Sequence, residues 1–557
     1  MFKLTVRAGG VAAAIGLLAL GAAASSYAAS KPQTLTDLIR ARQRDAVLAA
    51  ITSPDIDVNA TDPDGSTPLL WATYSVDHEL VRALLKKGAK PNVTNQFGSS
   101  PLQEAVKLGD VELVTLLVDA GADADSPNQD GQTALMLAAH VGSLPIAEML
   151  VKRGAKVNAV ENFRGQTALM WAAAEDHPDI VDLLLKHHAD AKVRAKYDDW
   201  PRQMTSEPRA QFRQTGGLTA LLYATRSGCY RCAVAIVKAG ADVNQPNPDG
   251  ITPLINAIDA HSYDVAMFLL DQGANPSAWD MTGRTPVYVA VDMNSYNGAS
   301  GFGNGNFAGF GEALAPHPPS KATAMDVANR LLDMGVDPNH ELTRMRPNGN
   351  GRGRFADYMM RGGTTALMTA TLSYDNVAIK ALLAHHAEVD IANVFRVTPL
   401  MAAAGMSGSS RGGLGSAIAG GGPHVDAQAR MIETIDLLLG AGADINARVT
   451  DSHTHTAKMV AYIQGRDHEG QTALFAAAEG GWDKVVRHLI DRGADPAVHD
   501  VAGKLALDYA RSPPRIGPGP APGRERPEEV ASRAATVALL ESLSPTRRGT
   551  ADTAQAK

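Results

Sequence analysis

The fold class this sequence predicts is an all-α solenoid, and three observations predict it. A short motif, usually Gly, one spacer, Thr or Ser, Pro or Ala, then Leu or Val, recurs ten times at a basic spacing near 33 residues. Between its copies, apolar residues return at helical spacing, as Leu113, Leu116 and Leu117 do. The chain is 45% hydrophobic but only 5% aromatic, which suits thin layers rich in Ala and Leu. A globular chain of 557 residues would divide into several domains, whereas a repeat stack grows by adding neighbours and needs no central core.

One unit explains itself locally. Thr133 caps a helix with its hydroxyl, and the next position accepts Ala or Pro because the first helical N–H needs no partner. Leu135, Ala138 and Ala139 give that first helix an apolar face with small residues, so a neighbouring unit can approach closely. The second helix is amphipathic and ends at a Gly such as Gly121, which takes the left-handed conformation at little cost. His188 and His386 stand at the equivalent position, and His visits that region more readily than most side chains, so both read as structural. Asn128-Gln-Asp-Gly131 forms the turn into the next unit.

Gly131-Gln-Thr-Ala-Leu-Met-Leu-Ala-Ala, then Ile146 to Leu150, then Gly154-Ala-Lys-Val-Asn-Ala159, resembles the ankyrin-repeat consensus. The chain after its leader resembles, over nearly all of its length, secreted or periplasmic bacterial ankyrin-repeat proteins. The resemblance implies a solenoid of about twelve helix-turn-helix units with projecting hairpins and a concave surface that holds another protein.

In chain order, residues 1–28 read as a signal peptide. Lys3 and Arg7 precede an apolar run from Val11 to Ala24, and Ser26-Tyr27-Ala28 offers the small residues a signal peptidase reads. An uncleaved anchor is the competing reading, but the run is short for a full span. Cleavage after Ala28 would leave a periplasmic or secreted chain with no stable membrane insertion. Residues 29–543 form the solenoid. Its first pair, near Leu35 to Ile51, is a degenerate cap ending in Asp57-Val-Asn59. The ten regular motifs start at Thr67, Ser100, Thr133, Thr167, Thr219, Thr252, Thr285, Thr365, Thr398 and Thr472. A degenerate copy follows at Gly503, where Leu505 replaces Thr.

Six insertions break the spacing. Those near 196–215, 341–361 and 450–466 fall where one repeat hands over to the next and should extend hairpin tips. Those near 294–321, 406–428 and 511–527 separate the two helices of a repeat and should emerge at the opposite end. Their Gly, Pro and Ser content predicts flexible loops, as does the composition of the tail, 544–557.

The formal charge is −7, and −9 once Lys3 and Arg7 leave with the leader, so nothing points to nucleic acid. Gly408-Ser409-Ser410-Arg411-Gly412 fits a nucleophile-elbow pattern, but it lies in a Gly-rich loop and not between a strand and a helix. Asp62 and Asp64 mimic half a calcium loop whose first acid is replaced by Ala60. His453 and His455, with Asp451 and His468, would form a metal site only if the insertion folded back on itself. No metal and no cofactor is therefore expected.

Cys229 and Cys232 are the only cysteines. Cys232 occupies the place that Leu113 and Ile146 hold in other repeats, which reads as a small core residue, and the pair as a structural disulfide or two quiet thiols. A redox-active pair at a helix N-terminus is the alternative. Trp71 and Trp171 occupy matching places on first helices and read as core or groove lining. Phe97, Phe163 and Phe395 each lie near a hairpin tip, where they either anchor a protein partner or pack against neighbouring hairpins. The 341–361 insertion carries Arg344, Arg346, Arg352, Arg354 and Arg361 on an acidic chain, which suggests an anionic partner surface or a solvated loop.

The function that follows is a non-enzymatic interaction or scaffold protein of the bacterial periplasm, holding another protein on its concave face and hairpin tips. Two alternatives stand beside it. One is a metal- or redox-dependent enzyme using the His453 insertion or the Cys229/Cys232 pair. The other is an exported effector acting on a host protein.

Overall fold

In a computed structural model of the chain, the structure describes residues 34–197, 216–298, 320–343, 362–406, 424–450, 468–512 and 527–543. These form twelve helical pairs in a single stack. The first six are α1 (Leu35–Arg40) and α2 (Arg44–Ala50), α3 (Pro68–Tyr74) and α4 (His78–Lys86), α5 (Pro101–Leu108) and α6 (Val111–Asp119), α7 (Ala134–Val141) and α8 (Leu144–Lys152), α9 (Ala168–Ala174) and α10 (Pro178–Lys186), and α11 (Ala220–Ser227) and α12 (Tyr230–Lys238). The other six are α13 (Pro253–Asp259) and α14 (Tyr263–Asp271), α15 (Pro286–Gly298) and α16 (Ala324–Asp333), α17 (Ala366–Leu372) and α18 (Asn376–Ala384), α19 (Pro399–Ala403) and α20 (His424–Gly440), α21 (Ala473–Gly480) and α22 (Asp483–Asp491), and α23 (Ala506–Arg511) and α24 (Pro527–Leu543). First helices pack on first helices of the adjoining units and second helices on second helices, which makes two layers.

The Thr motif starts nearly every first helix by the expected chemistry. Thr67 accepts from the Leu70 N–H at 3.1 Å, Ser100 from Gln103 at 3.2 Å and Thr365 from Met368 at 3.2 Å, while Pro68, Pro101, Pro253 and Pro399 fill the first helical position. Thr472 is the exception, since its side chain makes no cap bond.

Second helices such as α6 are nine residues long, too short to persist alone. Apolar burial holds them instead. Leu113, Val114 and Leu117 are completely buried, and so are their counterparts Ile146, Ala147 and Leu150. Each large side chain so buried contributes on the order of 2 kcal/mol. Cys232, Ala233 and Ile236 occupy the same register in α12 and are equally buried.

A ladder of Asn side chains joins the turns after the second helices. Asn92 donates to the Gly121 carbonyl at 2.9 Å and accepts from the Asp123 N–H at 2.8 Å. Asn158 makes the same pair of bonds to His188 and Asp190, Asn244 to Gly273 and Asn275, Asn339 to His386 and Glu388, and Asn446 to Gly493 and Asp495. Each Asn thereby satisfies one carbonyl and one N–H of the turn that follows the next second helix. His188 and His386 adopt φ of 66° and 67°, taking the left-handed place of Gly in this turn.

Candidate partner-binding surface

The hairpins between repeats are built on one side-chain device. Asn95 Oδ1 accepts from the Phe97 and Ser99 N–H groups, both at 3.0 Å. Asn128, Asn247, Asp280, Asn393 and Asp500 close their own turns in the same way, and Glu161 does so with a longer arm. Adjacent hairpins are then linked through the backbone. Gln96 N–H donates to Asp64 C=O at 2.8 Å, Asn162 to Asp130 at 2.7 Å, Lys196 to Arg164 at 2.7 Å and Met281 to Asp249 at 2.8 Å. Gly131 is confined by this contact as well as by its φ of 79°, because a Cβ there would lie 2.8 Å from the Asn162 side chain.

This ordered row presents apolar side chains to solvent. Phe97 is 62% exposed and Phe163 75% exposed, each on a tip where its own N–H is held by the side chain that closes the turn, Asn95 or Glu161. The Arg164 guanidinium lies 5.7 Å from the Phe163 ring centroid. Trp279, at 59% exposure, and the exposed Tyr197, Met281 and Val501 extend the row, and the sequence reading missed all four. Their shared signal is an apolar residue within a polar turn, at offsets that vary from one repeat to the next.

Phe395 departs from the expectation of an exposed tip aromatic, because it is only 5% exposed and belongs to the core. Its turn has the same form as that of Phe97, with Arg396 at φ 60° where Gly98 has 72°. The difference lies in the neighbours. Val394 N–H bonds to Gly362 C=O at 3.2 Å, at the base of one insertion, and the base of another follows on the next hairpin.

Three tip insertions leave through backbone-paired necks. Ala195 N–H donates to Leu218 C=O at 3.0 Å, Leu342 to Thr364 at 3.1 Å and Val449 to Gln471 at 2.9 Å. Arg194 braces the first neck, donating to the carbonyls of Gly217 and Pro246, both at 2.9 Å. Arg448 repeats this at the third, donating to Gly470 and His499. Arg344, Arg346, Arg352, Arg354 and Arg361 lie outside the described residues, as do Ser409, Asp451, His453, His455 and residues 1–28. His468 is described, and its Nδ1 is 2.8 Å from Gln471 Oε1.

The first-helix layer carries a second group of rings. Trp71 is partly buried, donates from its indole to Asp62 at 2.9 Å and meets Tyr74 edge-on. Arg40 stacks over it at 5.3 Å. Asp62 is thus committed to structure, and Asp64 Oδ1 and Oδ2 likewise take the Ser66 N–H and hydroxyl. Trp171 meets the His140 ring edge-on at 5.2 Å, and its indole N–H has no hydrogen-bond partner among the described residues.

Cys229 and Cys232 are joined as a disulfide at the start of α12. No helix among the described residues is long and apolar enough to cross a membrane.

The family model for ankyrin repeats in three copies matches residues 27–128, 102–196, 160–247 and 221–301, and the single ankyrin-repeat model matches 469–501. Together they cover more than half of the chain, which belongs to the ankyrin-repeat family. Between the matched stretches the structure adds pairs of the same form, α17 with α18 and α19 with α20. Over 86 residues the chain is 41% identical to Zygote-specific protein 3 of Chlamydomonas reinhardtii; the match takes in 15% of this chain and 23% of that protein. Ankyrin repeats are, in general, non-enzymatic modules for protein–protein interaction, and this chain carries that architecture from α1 to α24.

Proposed function

We propose that this chain is a non-catalytic binding or scaffold protein, periplasmic or secreted after removal of residues 1–28, which holds another protein along its hairpin row and first-helix face. One observation carries the reading: the apolar side chains of Phe97, Phe163 and Trp279 stand exposed on tips whose backbones are fixed by their own turns and by one another. An exposed aromatic on a rigid frame loses little entropy when it is buried by a partner. Location rests on the leader, with its two basic residues, apolar run and Ala28. The 344–361 segment, with its five Arg, adds a cationic stretch to an acidic chain and favours an anionic patch on the partner.

Cross-linking in intact cells, followed by recovery of the chain and identification of what comes with it, tests the reading. A protein recovered with the wild-type chain and lost when Phe97 and Phe163 are both changed to Ser supports it. Recovery of the same proteins with both forms refutes the tip surface. An N-terminus other than Ala29 on the recovered chain refutes the processing.

A further inference from the structure

The structure assigns a second chemistry to the turn that opens α12: we propose that Cys229, Cys232 and Asp176 form a redox centre that accepts electrons from an external dithiol while the solenoid stays folded. The Asp176 carboxylate comes from the turn between α9 and α10 of the preceding repeat, and it and the two sulfurs all lie within 4.8 Å of one another. Asp176 is exposed while both cysteines are buried, so the group of three joins a buried disulfide to a carboxyl that solvent reaches.

A link between residues three apart closes a very short loop. It restrains the unfolded chain very little and ties no repeat to its neighbour, so its value as a staple is low. Its value as chemistry is higher, and other repeats of this chain show why. Asp77, Asp110 and Asp375 occupy the position of Cys229 at the start of α4, α6 and α18, where their carboxylates accept from the Leu80, Leu113 and Ala378 N–H groups at 3.0, 2.9 and 3.1 Å. Cys229 Sγ accepts from the Cys232 N–H at 3.1 Å in the same way. A backbone N–H therefore meets a carboxylate at this place in three sister units, two of which also pair with a neighbour, Asp77 with Arg44 at 3.3 Å and Asp110 with His78 at 2.8 Å, and in the proposal a reduced Cys229 offers a thiolate to the same N–H.

The electrons and protons balance as follows. A thiolate of the dithiol attacks Cys229 Sγ, the bond to Cys232 breaks, and the pair of electrons leaves on Cys232, which takes a proton relayed from solvent by the Asp176 carboxylate. The second thiol gives its proton to the Asp176 carboxylate and attacks the external sulfur of the mixed disulfide. Cys229 is released as a thiolate, with an external disulfide as the other product. Burial pushes the Asp176 carboxyl up, against a smaller opposing effect of His177, in the direction that eases its taking up and passing on a proton. The other charged groups on these turns are committed elsewhere. Arg231 pairs with Asp179 and Asp182 at 2.8 and 3.3 Å, and His261 Nδ1 is 2.9 Å from the Tyr263 hydroxyl. Cys229 is 2% exposed, so the attack requires local opening of the turns at Asp176 and Gly228, whose left-handed φ values are 58° and 75°.

The test uses the full chain with dithiothreitol as the dithiol, quenched by alkylation and read by mass. Reduction should proceed with the helical signal intact, at a rate proportional to dithiol and unaffected by low denaturant. In Cys232→Ser, alkylation of Cys229 should show a midpoint at least about one pH unit below the ordinary thiol value of about 8.5. Asp176→Asn keeps a residue that tolerates a left-handed φ. It should slow reduction about fivefold or more at neutral pH and flatten its pH profile. Reduction only in step with loss of helix, a Cys229 midpoint at or above the ordinary value, or an Asp176→Asn rate and profile equal to wild type would each overturn the proposal.

Discussion

Arg284 donates from Nε to Asp280 Oδ2 at 2.7 Å, and the two side chains are 5% and 2% exposed. Asp280 also accepts from the Thr282 hydroxyl and from two N–H groups of its own turn, while Arg284 Nη1 reaches Asp259 at 3.2 Å. Burial alone would lower the basicity of Arg284, but Asp259 and Asp280 outweigh it and hold the guanidinium above the ordinary arginine range. This pair fixes the hairpin that exposes Trp279. Arg284→Met leaves a buried carboxylate without its cation and should cost about 3–5 kcal/mol, read from urea unfolding. Arg284→Met combined with Asp280→Asn should recover part of that loss, because the uncompensated charge is gone. Equal stability of Arg284→Met and wild type would show that the turn N–H groups alone suffice.

Acid should weaken the stack through a few identifiable carboxylates. For Asp264, burial acts to raise the pKa, but hydrogen bonds from the Lys321 and Ala322 N–H groups and from Ser320 outweigh it and hold it below the usual range. Asp483, bonded by Ser532 and Gln428, and Asp500, bonded by Tyr509, are lowered against burial in the same way. A carboxylate whose folded pKa is depressed binds more protons when unfolded, so its contribution is complete above about pH 4 and is lost as pH falls through the depressed value. The urea midpoint should therefore drop between about pH 6 and about pH 3. Asp264→Asn should lower the midpoint at the higher pH and make the drop smaller. A drop of unchanged size in that variant would remove Asp264 from the account.

The Asn ladder predicts a local effect. Asn92→Ala deletes two bonds to the next turn, at Gly121 and Asp123, and should cost about 1–2 kcal/mol, since each is worth roughly 0.5–1.5 kcal/mol net. Stability in a linear stack is close to a sum over neighbours, so hydrogen exchange should quicken at the Asp123 amide and its surroundings and stay unchanged at α22. A uniform change along the chain would contradict this.

What the sequence made legible is what the chain fixes locally. Thr and Ser caps, the left-handed His188 and His386, and the core register of Cys232 depend on residues within one turn or one helix face, so their spacing carries the signal. Relations between repeats were hidden. Phe97 and Phe395 occupy the same place in the same kind of turn, yet the first is exposed and the second is buried beside the base of an insertion, a difference the spacing of one unit does not carry. Asp176 meets the two cysteines across a repeat boundary, and the Asn ladder spans another, so neither is visible in the spacing of a single unit. Trp279 and Met281 escaped notice because their offsets from Thr285 differ from that of Phe97 to Ser100.

At the tips, Phe97→Ser with Phe163→Ser should separate binding from folding. Both rings are mostly in solvent, so the melting temperature should stay within the range of ordinary surface changes, about 0.5 kcal/mol in stability. If the rings anchor a partner, its affinity should fall about tenfold or more, the equivalent of about 1.4 kcal/mol. An unchanged affinity would move the contact to the first-helix face around Trp71 and Trp171.

The 344–361 segment offers the sharpest separation of charge from fold. Its neck is closed on both sides of the insertion, with Leu342 N–H bonded to Thr364 C=O at 3.1 Å and Gly363 N–H to Leu342 C=O at 2.8 Å, while Thr343 N–H is bonded to Thr282 C=O at 3.0 Å. Replacing the segment by a short Gly-containing turn should therefore leave the stack and its melting temperature intact, because loop length costs little once the ends are held. If Arg344, Arg346, Arg352, Arg354 and Arg361 meet an anionic surface, affinity for the partner should fall at low salt. The remaining binding should then depend less on salt than that of wild type, since the screened contribution has been removed. Affinity unchanged at both low and high salt would eliminate the insertion as a contact and leave its charges to the solvent.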